Sequence, residues 1–294
     1  MHVKQAKLHL ESDHHMADNI SAWMKRHALV VYFILAYAIS WAIQLPLATS
    51  AQGWLQLPVR FAVHYLAAFE PMLAVLIVIS ITEGQDGVRQ LLAGLSKWRV
   101  GIGWFLFSTL LPIGLFGVAV LVGDAENGTW PDLSLLGEVD YLPYLGIFGA
   151  LLLWLLTFGL GEEIGWRGYA LPRLQKHHNA LTATLMLGVV WTFWHLPAFF
   201  YKDTYMAMGM LAGLPLLLLS ILAASIVFTW LYNSTNGSLL IVTLFHALFD
   251  FLSVSRAGGE SAAAIMSAAV MIWALLIAIL FKPANLSRKP KVIH

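Results

Sequence analysis

The stretch LLLWLLTFGLGEEIGWRG, residues 151–168, joins an apolar run to two consecutive glutamates and an arginine. Its first ten residues suit a membrane-spanning helix, but a charged residue at the centre of such a helix costs roughly 3 kcal/mol even on the lenient insertion scale. Charge in this position must therefore face a bundle interior or a wet cavity and pair with other charge. The stretch predicts a helical membrane protein with a polar cluster among its helices.

The rest of the chain has the composition of a membrane domain. Of its 294 residues, 59% are hydrophobic and 11% are charged, against about 25% charged in a typical soluble domain. Residues 85–100 show helical apolar spacing with basic neighbours, which predicts a short amphipathic surface helix. We predict an all-α fold, a polytopic bundle of about eight spanning helices. The apolar runs are roughly 28–48, 61–82, 102–122, 143–160, 180–200, 209–232, 237–254 and 262–281.

The predicted organisation is one membrane domain, 28–281, between a polar N-terminal tail, 1–27, and a basic C-terminal tail, 282–294. The N-terminal tail lacks the apolar core of a signal peptide. In this topology 14 of the 17 Lys and Arg lie on the side of the termini. This bias predicts that both termini face the cytoplasm of a cell membrane. We expect a bacterial source. The C-terminal tail is interpreted as an inner-leaflet anchor. The three exceptions are Arg60, Lys202 and Arg256.

Two further apolar segments carry ionisable residues: WTFWHLP at 191–197 and HALFD at 246–250. His195 stands two residues before a proline, so it is expected near a helix end or kink. His246 and Asp250 are four residues apart and share a helix face. Both segments are expected to contribute to the same polar cluster.

The two glutamates of the first stretch are expected to point in different directions. Glu163 and Arg167 are four residues apart, so they can form an ion pair on one helix face. Glu162 lies about 100° around the helix from Glu163 and is free to face another partner.

These residue types permit hydrolysis without a serine or cysteine nucleophile. A carboxylate beside a neutral imidazole can take a proton from water, and a second imidazole can stabilise the oxyanion that follows. Glutamate and histidine also bind divalent ions, so a metal such as zinc stays an alternative. The chain has no cysteine, no HExxH, no intramembrane GxSx serine pattern and no pair of intramembrane aspartates. The thiol, HExxH-zinc, serine and aspartyl routes are therefore unsupported.

The three motifs resemble those of the CAAX-protease and bacteriocin-processing (CPBP, or Abi) family of intramembrane endopeptidases. The motif order and separations agree with the family pattern, although tryptophan replaces the usual phenylalanine of the second motif, a change expected to alter packing but not charge. Aspartate also stands where asparagine is common in the third. The family motifs EExxxR, FxxxH and HxxxN/D correspond to Glu162-Glu163 with Arg167, Trp191 with His195, and His246 with Asp250.

The resemblance implies a role for each motif. Glu162 and His195 would activate the attacking water, and the second glutamate and the arginine of the first motif would orient them. His246 and Asp250 would stabilise the oxyanion. Because an ionised Asp250 would repel an oxyanion, that residue is expected to be protonated or to orient His246. If a metal is used, its ligands would be Glu162, His195 and His246.

We therefore predict an intramembrane endopeptidase that hydrolyses membrane-associated or lipid-modified (CAAX-like) proteins or peptides, by a glutamate-type or metallo-type mechanism. The alternatives are non-enzymatic: a transporter with a buried ion path, or a catalytically dead bacteriocin-immunity scaffold. Transporters commonly have two matched halves, whereas the motifs here all lie in the second half. No basic face for nucleic acid is visible, and no oligomeric state is predicted. His64 and Glu70, in the second span, are interpreted as structural or cavity-lining residues.

Overall fold

The computed structural model describes residues 22–128, 130–139, 145–259 and 261–293, apart from the side chains of residues 126 and 127. Within these residues the chain is helical, without a strand, which confirms the all-α prediction. Short turns and 3₁₀ segments connect the helices. In chain order the helices are α1 (Ala28–Ala51), α2 (Phe61–Thr82), α3 (Gly84–Ala93), α4 (Ile102–Asn127), α5 (Gly146–His177), α6 (Ala180–Trp194), α7 (Asp203–Ser234), α8 (Leu239–Ser253) and α9 (Ala262–Leu280).

In the described part of the chain, seven helical segments are long and apolar enough to cross a membrane, so the protein is a multi-pass membrane protein. The seventh predicted span is present as α8, which has 15 residues and is shorter than the ~20 of a full span. Its first residue is tied to the segment after α3, because the Leu239 amide donates to the Gly94 carbonyl oxygen at 3.0 Å. The predicted amphipathic helix is α3, which ends at Ala93 rather than near residue 100.

Helix α5 runs well beyond its predicted end at residue 160, to His177. Two widened (π) segments lie inside it: Leu155–Glu162, which ends at the first glutamate, and Trp166–Ala170, which contains the arginine of the motif. The prediction counted only apolar residues, so it ended the span just before the charged residues. The helix continues because its charged side chains pair with each other and with neighbouring helices instead of facing lipid.

The start of α7 also differs from the prediction. The helix begins at Asp203 rather than at residue 209, and Gly209 interrupts it with a φ of 67°. A positive φ is readily available to glycine, so the helix is kinked there. The apolar run found in the sequence corresponds to the part after this bend.

The loops gather at two ends of the bundle. At one end Lys97 Nζ donates to the Asn236 carbonyl oxygen at 2.9 Å. At the other, the Arg256 amide donates to the Glu138 carbonyl oxygen at 2.9 Å. We call the first the basic end (residues 83–101, 173–181, 234–239 and 281–293) and the second the opposite end (residues 52–60, 130–139, 195–204 and 254–259). Of the described Lys and Arg in these segments, three lie at the opposite end, namely Arg60, Lys202 and Arg256. The others lie at the basic end: Arg89, Lys97, Arg99, Arg173, Lys176, Lys282, Arg288, Lys289 and Lys291.

The C-terminal segment is docked on the basic end rather than held only by charge. Leu286 is fully buried. Asn233 donates to the Asn285 carbonyl oxygen at 2.8 Å and accepts from the Val292 amide at 3.1 Å. Gln175 Nε2 donates to the Val292 carbonyl oxygen at 2.7 Å. The sequence prediction of a lipid anchor missed these contacts, because they use backbone atoms and the polar ends of α5 and α7.

Candidate active site

Two glycines let α2 pack directly on the turn that carries the glutamates. A Cβ atom on Gly161 would lie 2.3 Å from the Ala68 carbonyl oxygen, and one on Gly165 would lie 2.6 Å from the Pro71 carbonyl oxygen. Backbone cannot yield to such contacts, so a side chain is excluded at both positions. Helix α2 is interrupted at residues 68–69, where it meets α5. Lipid is therefore kept away from this side of the glutamates.

Glu163 and Arg167 form the predicted ion pair in a fully buried position. Glu163 Oε1 accepts a hydrogen bond from an Arg167 guanidinium nitrogen at 2.8 Å, and both side chains have no exposed surface. The guanidinium carbon lies 4.5 Å from the centre of the Trp191 ring and 4.7 Å from that of Phe228. Arginine stacks favourably on aromatic faces. The charge is thus held by a carboxylate at its edge and by two rings at its faces.

His246 extends this pair across to α8. Its Nδ1 lies 2.8 Å from Glu163 Oε1, and its Nε2 lies 3.3 Å from Asp250 Oδ2. An ionised carboxylate only accepts hydrogen bonds, so each ring nitrogen donates when its carboxylate is charged. The predicted shared face of His246 and Asp250 is confirmed, and Asp250 is placed to orient the imidazole.

Glu162 faces α6 and so diverges from Glu163, as the position of the two residues around the helix predicted. Its Oε2 accepts a hydrogen bond from Trp191 Nε1 at 2.7 Å, and the residue is buried. Phenylalanine has no N–H, so the tryptophan at this position adds a donor to the glutamate. The prediction from the family motif treated Trp191 as a larger phenylalanine and missed this contact.

His195 ends α6, in agreement with the predicted helix end, and a 3₁₀ segment follows it. Its Nδ1 lies 2.8 Å from the Trp191 carbonyl oxygen. A carbonyl can only accept, so Nδ1 carries the hydrogen and Nε2 of the neutral ring has a free lone pair. Within the described residues no hydrogen bond reaches Nε2, and it is absent from the buried, unpaired atoms. Nε2 is therefore accessible and able to accept a proton.

Side-chain exposure within the cluster rises towards the opposite end. Side-chain exposure is 0% for Glu163 and Arg167, 4% for His246 and 32% for Asp250. Asp250 is one turn nearer than His246 to the opposite end of α8. His195 follows 15 residues of helix that begin at the basic end, a distance of roughly 22 Å at 1.5 Å per residue. The accessible groups thus lie on the side of residues 195–204 and 254–259.

The arrangement does not fit the metal alternative. In the described part of the chain, no group of three or more His, Asp and Glu side chains is placed to hold a metal ion. His246 directs both of its ring nitrogens at carboxylates, so a metal would have to displace one of them. Glu162, His195 and His246 therefore do not form a ligand set as they stand.

The two ionisable residues of α2 lie beside the cluster. Glu70 is fully buried and close enough to Glu162 to interact electrostatically. His64 is hydrogen-bonded to Tyr201 at 2.7 Å. The sequence marked both as candidate functional residues only through their position in a spanning helix, since intramembrane ionisable groups are functional candidates by default. Their partners could not be found from spacing, because α2 is about 90 residues or more from the motifs.

Comparison with known proteins supports the resemblance seen in the motifs. Residues 144–252, which contain all three motifs, match the family described as type II CAAX prenyl endopeptidase, Rce1-like. The chain is 34% identical over 117 residues to CAAX prenyl protease 2 of Methanococcus maripaludis, an alignment that covers 38% of this chain and 40% of that protein. The chain thus matches less than half the length of this curated relative. The family recognised from the motifs is confirmed for this segment.

Proposed function

We propose that this chain, whose residues 144–252 belong to the CAAX-protease family, is a membrane-embedded endopeptidase that uses a glutamate and a histidine to activate water. One observation carries the proposal. Side chains from the three motifs, on α5, α6 and α8, meet in a single buried cluster: Glu162 is bound to Trp191 and Glu163 to His246. A structural ion pair alone would not require an accessible imidazole such as His195 beside it.

The proposed reaction begins with a water between Glu162 and the accessible Nε2 of His195. The carboxylate takes a proton from the water as its oxygen attacks the peptide carbonyl carbon. His246, oriented by Glu163, presents its Nε2–H on the accessible side, where Asp250 accepts it. The carbonyl oxygen, negatively charged in the tetrahedral intermediate, would share this donor. Collapse breaks the C–N bond, and the proton held by Glu162 passes to the leaving amine.

We propose a cell-membrane location with the basic end, and hence both termini, at the cytoplasm, because Lys and Arg concentrate on the cytoplasmic side of membrane proteins. The site then opens away from the cytoplasm. The proposed substrates are therefore membrane-associated peptides or lipid-modified proteins presented from the non-cytoplasmic side, in a bacterial cell. The name of the curated relative, a CAAX prenyl protease, favours a lipid-modified C-terminus. A cytoplasmic substrate of that class would require the reverse orientation.

The direct test is cleavage of synthetic peptides with and without a prenylated cysteine near the C-terminus, using the detergent-solubilised full chain. Glu162→Ala and His195→Ala should abolish cleavage while far-UV circular dichroism and elution volume stay unchanged. His178→Ala, a histidine-to-alanine change in the loop after α5, is the matched control and should cleave normally. Full activity in either site variant would refute the assignment. A chelator should leave the wild-type rate unchanged, because the proposed reaction activates water with Glu162 and His195 and uses no metal.

A further inference from the structure

His64 lies between the two segments that hold the proposed water-activating pair. Its ring centre is 6.2 Å from that of Phe158, which precedes Glu162 by one turn of α5. Its Nδ1 is 2.7 Å from the hydroxyl of Tyr201, which follows the 3₁₀ segment that begins after His195. His64 is also close enough to His195 to interact with it electrostatically. A residue far from the motifs in sequence is thus adjacent to them in space.

The hydrogen bonds of Tyr201 fix the state of the His64 ring. The Tyr201 hydroxyl donates its one hydrogen to Gln44 Oε1 at 3.0 Å. The contact with His64 must then use a hydrogen on Nδ1, so Nε2 of the neutral ring has the free lone pair. Gln44 is itself held, because its Nε2 donates to Ser40 Oγ at 2.6 Å. These hydrogen bonds connect α1, α2 and the segment after His195.

His64 therefore repeats the arrangement of His195. In both residues Nδ1 is tethered to the protein. For both, Nε2 has no hydrogen bond within the described residues and is absent from the buried unpaired atoms, so it is accessible. A tether alone would not need an accessible acceptor at the second ring nitrogen.

We propose that His64 binds the substrate: its Nε2 accepts a hydrogen bond from a peptide N–H and holds the chain against His195. The inference rests on the proposed function and adds a residue outside the three motifs. A peptide that enters a membrane-embedded site loses its hydrogen bonds to water, and each unsatisfied N–H costs several kcal/mol. An accessible imidazole acceptor beside the segments that hold Glu162 and His195 would meet that need.

Steady-state kinetics separate binding from structure. His64→Leu removes the acceptor and should raise KM about tenfold, the effect of one lost hydrogen bond, with kcat little changed. His64→Gln keeps an acceptor and should restore much of the loss. Tyr201→Phe releases the tether and should raise KM by less than His64→Leu. Tyr37→Phe, which removes a hydroxyl donor to the Val190 carbonyl of α6, controls for loss of any interhelical tyrosine bond.

Carbethoxylation with diethylpyrocarbonate, mapped by mass spectrometry, tests the geometry without requiring activity. His64 and His195 should react at Nε2, and His246 should be protected because both of its nitrogens are engaged. A prenylated peptide with a reduced scissile bond should protect His64 and His195 together. If the wild type cleaves no peptide but this paired protection is seen, the proposed function fails and the binding role of His64 stands.

The inference about His64 is overturned by either of two results. In the first, His64→Leu and His64→Gln lower thermal stability equally and leave KM unchanged, which assigns His64 a structural role. In the second, the peptide protects His195 but not His64 from carbethoxylation. Normal cleavage by the wild type in either case would leave the proposed function intact.

Discussion

Glu163 and His246, 83 residues apart in the sequence, are joined by a 2.8 Å contact between Oε1 and Nδ1, and the same oxygen atom binds Arg167. One carboxylate oxygen therefore serves both an arginine one turn away and a histidine on another helix. All three side chains are buried. The orientation of the imidazole and the neutralisation of the arginine depend on the same atom.

Replacing this carboxylate should destabilise the protein strongly. Glu163→Gln removes the ion-pair partner of the buried Arg167 guanidinium, and breaking a buried pair in this way costs about 3–5 kcal/mol. We expect a large fall in the thermal midpoint of the detergent-solubilised protein. Glu83→Gln removes the ion pair with Arg173, whose side chains are 38% and 18% exposed, and should cost at most about 1 kcal/mol. Similar shifts for the two variants would contradict the buried-pair argument.

Asp250→Asn should retain activity, whereas Asp250→Ala should lose most of it. Asp250 Oδ2 lies 3.3 Å from His246 Nε2, and the amide oxygen of asparagine can accept the same hydrogen bond. The amide also brings a donor and removes a negative charge that would oppose an oxyanion. Alanine also removes the charge, but it can neither accept the hydrogen bond from His246 nor donate one to the oxyanion. An oxyanion donor that is no longer held in place should lower kcat towards the 10²–10³-fold that losing such a donor typically costs. The kcat values of both variants decide this, and an inactive asparagine variant would show that the charge itself is needed.

The membrane fold could be predicted from the sequence because apolar runs of the required length are a direct consequence of bilayer thickness. The second span, 61–82, was predicted with the observed ends. The fourth was cut short, since hydropathy cannot register that Glu163 and Arg167 neutralise each other. Helix α8 was predicted as a span over 237–254, whereas the helix itself has 15 residues.

The local geometry of the site was equally predictable where it depends on helical spacing. The Glu163–Arg167 pair and the divergence of Glu162 both follow from residue positions along one helix. Contacts between helices were not predictable, because spacing within a helix carries no information on its neighbours. The indole hydrogen bond of Trp191 to Glu162 and the tether of His64 to Tyr201 belong to this class.

Trp191→Phe tests how far the indole hydrogen bond matters. The substitution keeps an aromatic face for the Arg167 guanidinium but removes the donor to Glu162 Oε2. A hydrogen bond to a charged group contributes about 1.5–3 kcal/mol, so the glutamate should be less fixed and kcat should fall by roughly tenfold with the fold retained. Trp191→Ala should instead unfold more readily, because it also opens a cavity. A phenylalanine variant as fast as the wild type would show that packing alone positions Glu162.

The direction in which the site opens can be measured because the chain has no cysteine. Single cysteines at the exposed positions Gln85, at the basic end, and Thr204, at the opposite end, report orientation. Asp250→Cys reports access to the site, because the Asp250 side chain is 32% exposed. With an impermeant maleimide on intact cells, we expect labelling of Thr204→Cys and Asp250→Cys, and labelling of Gln85→Cys only after permeabilisation.

Labelling of Gln85→Cys on intact cells would reverse the proposed orientation and favour cytoplasmic substrates. If Asp250→Cys were labelled together with Gln85→Cys rather than with Thr204→Cys, the site would open to the basic end, against the exposure gradient along α8.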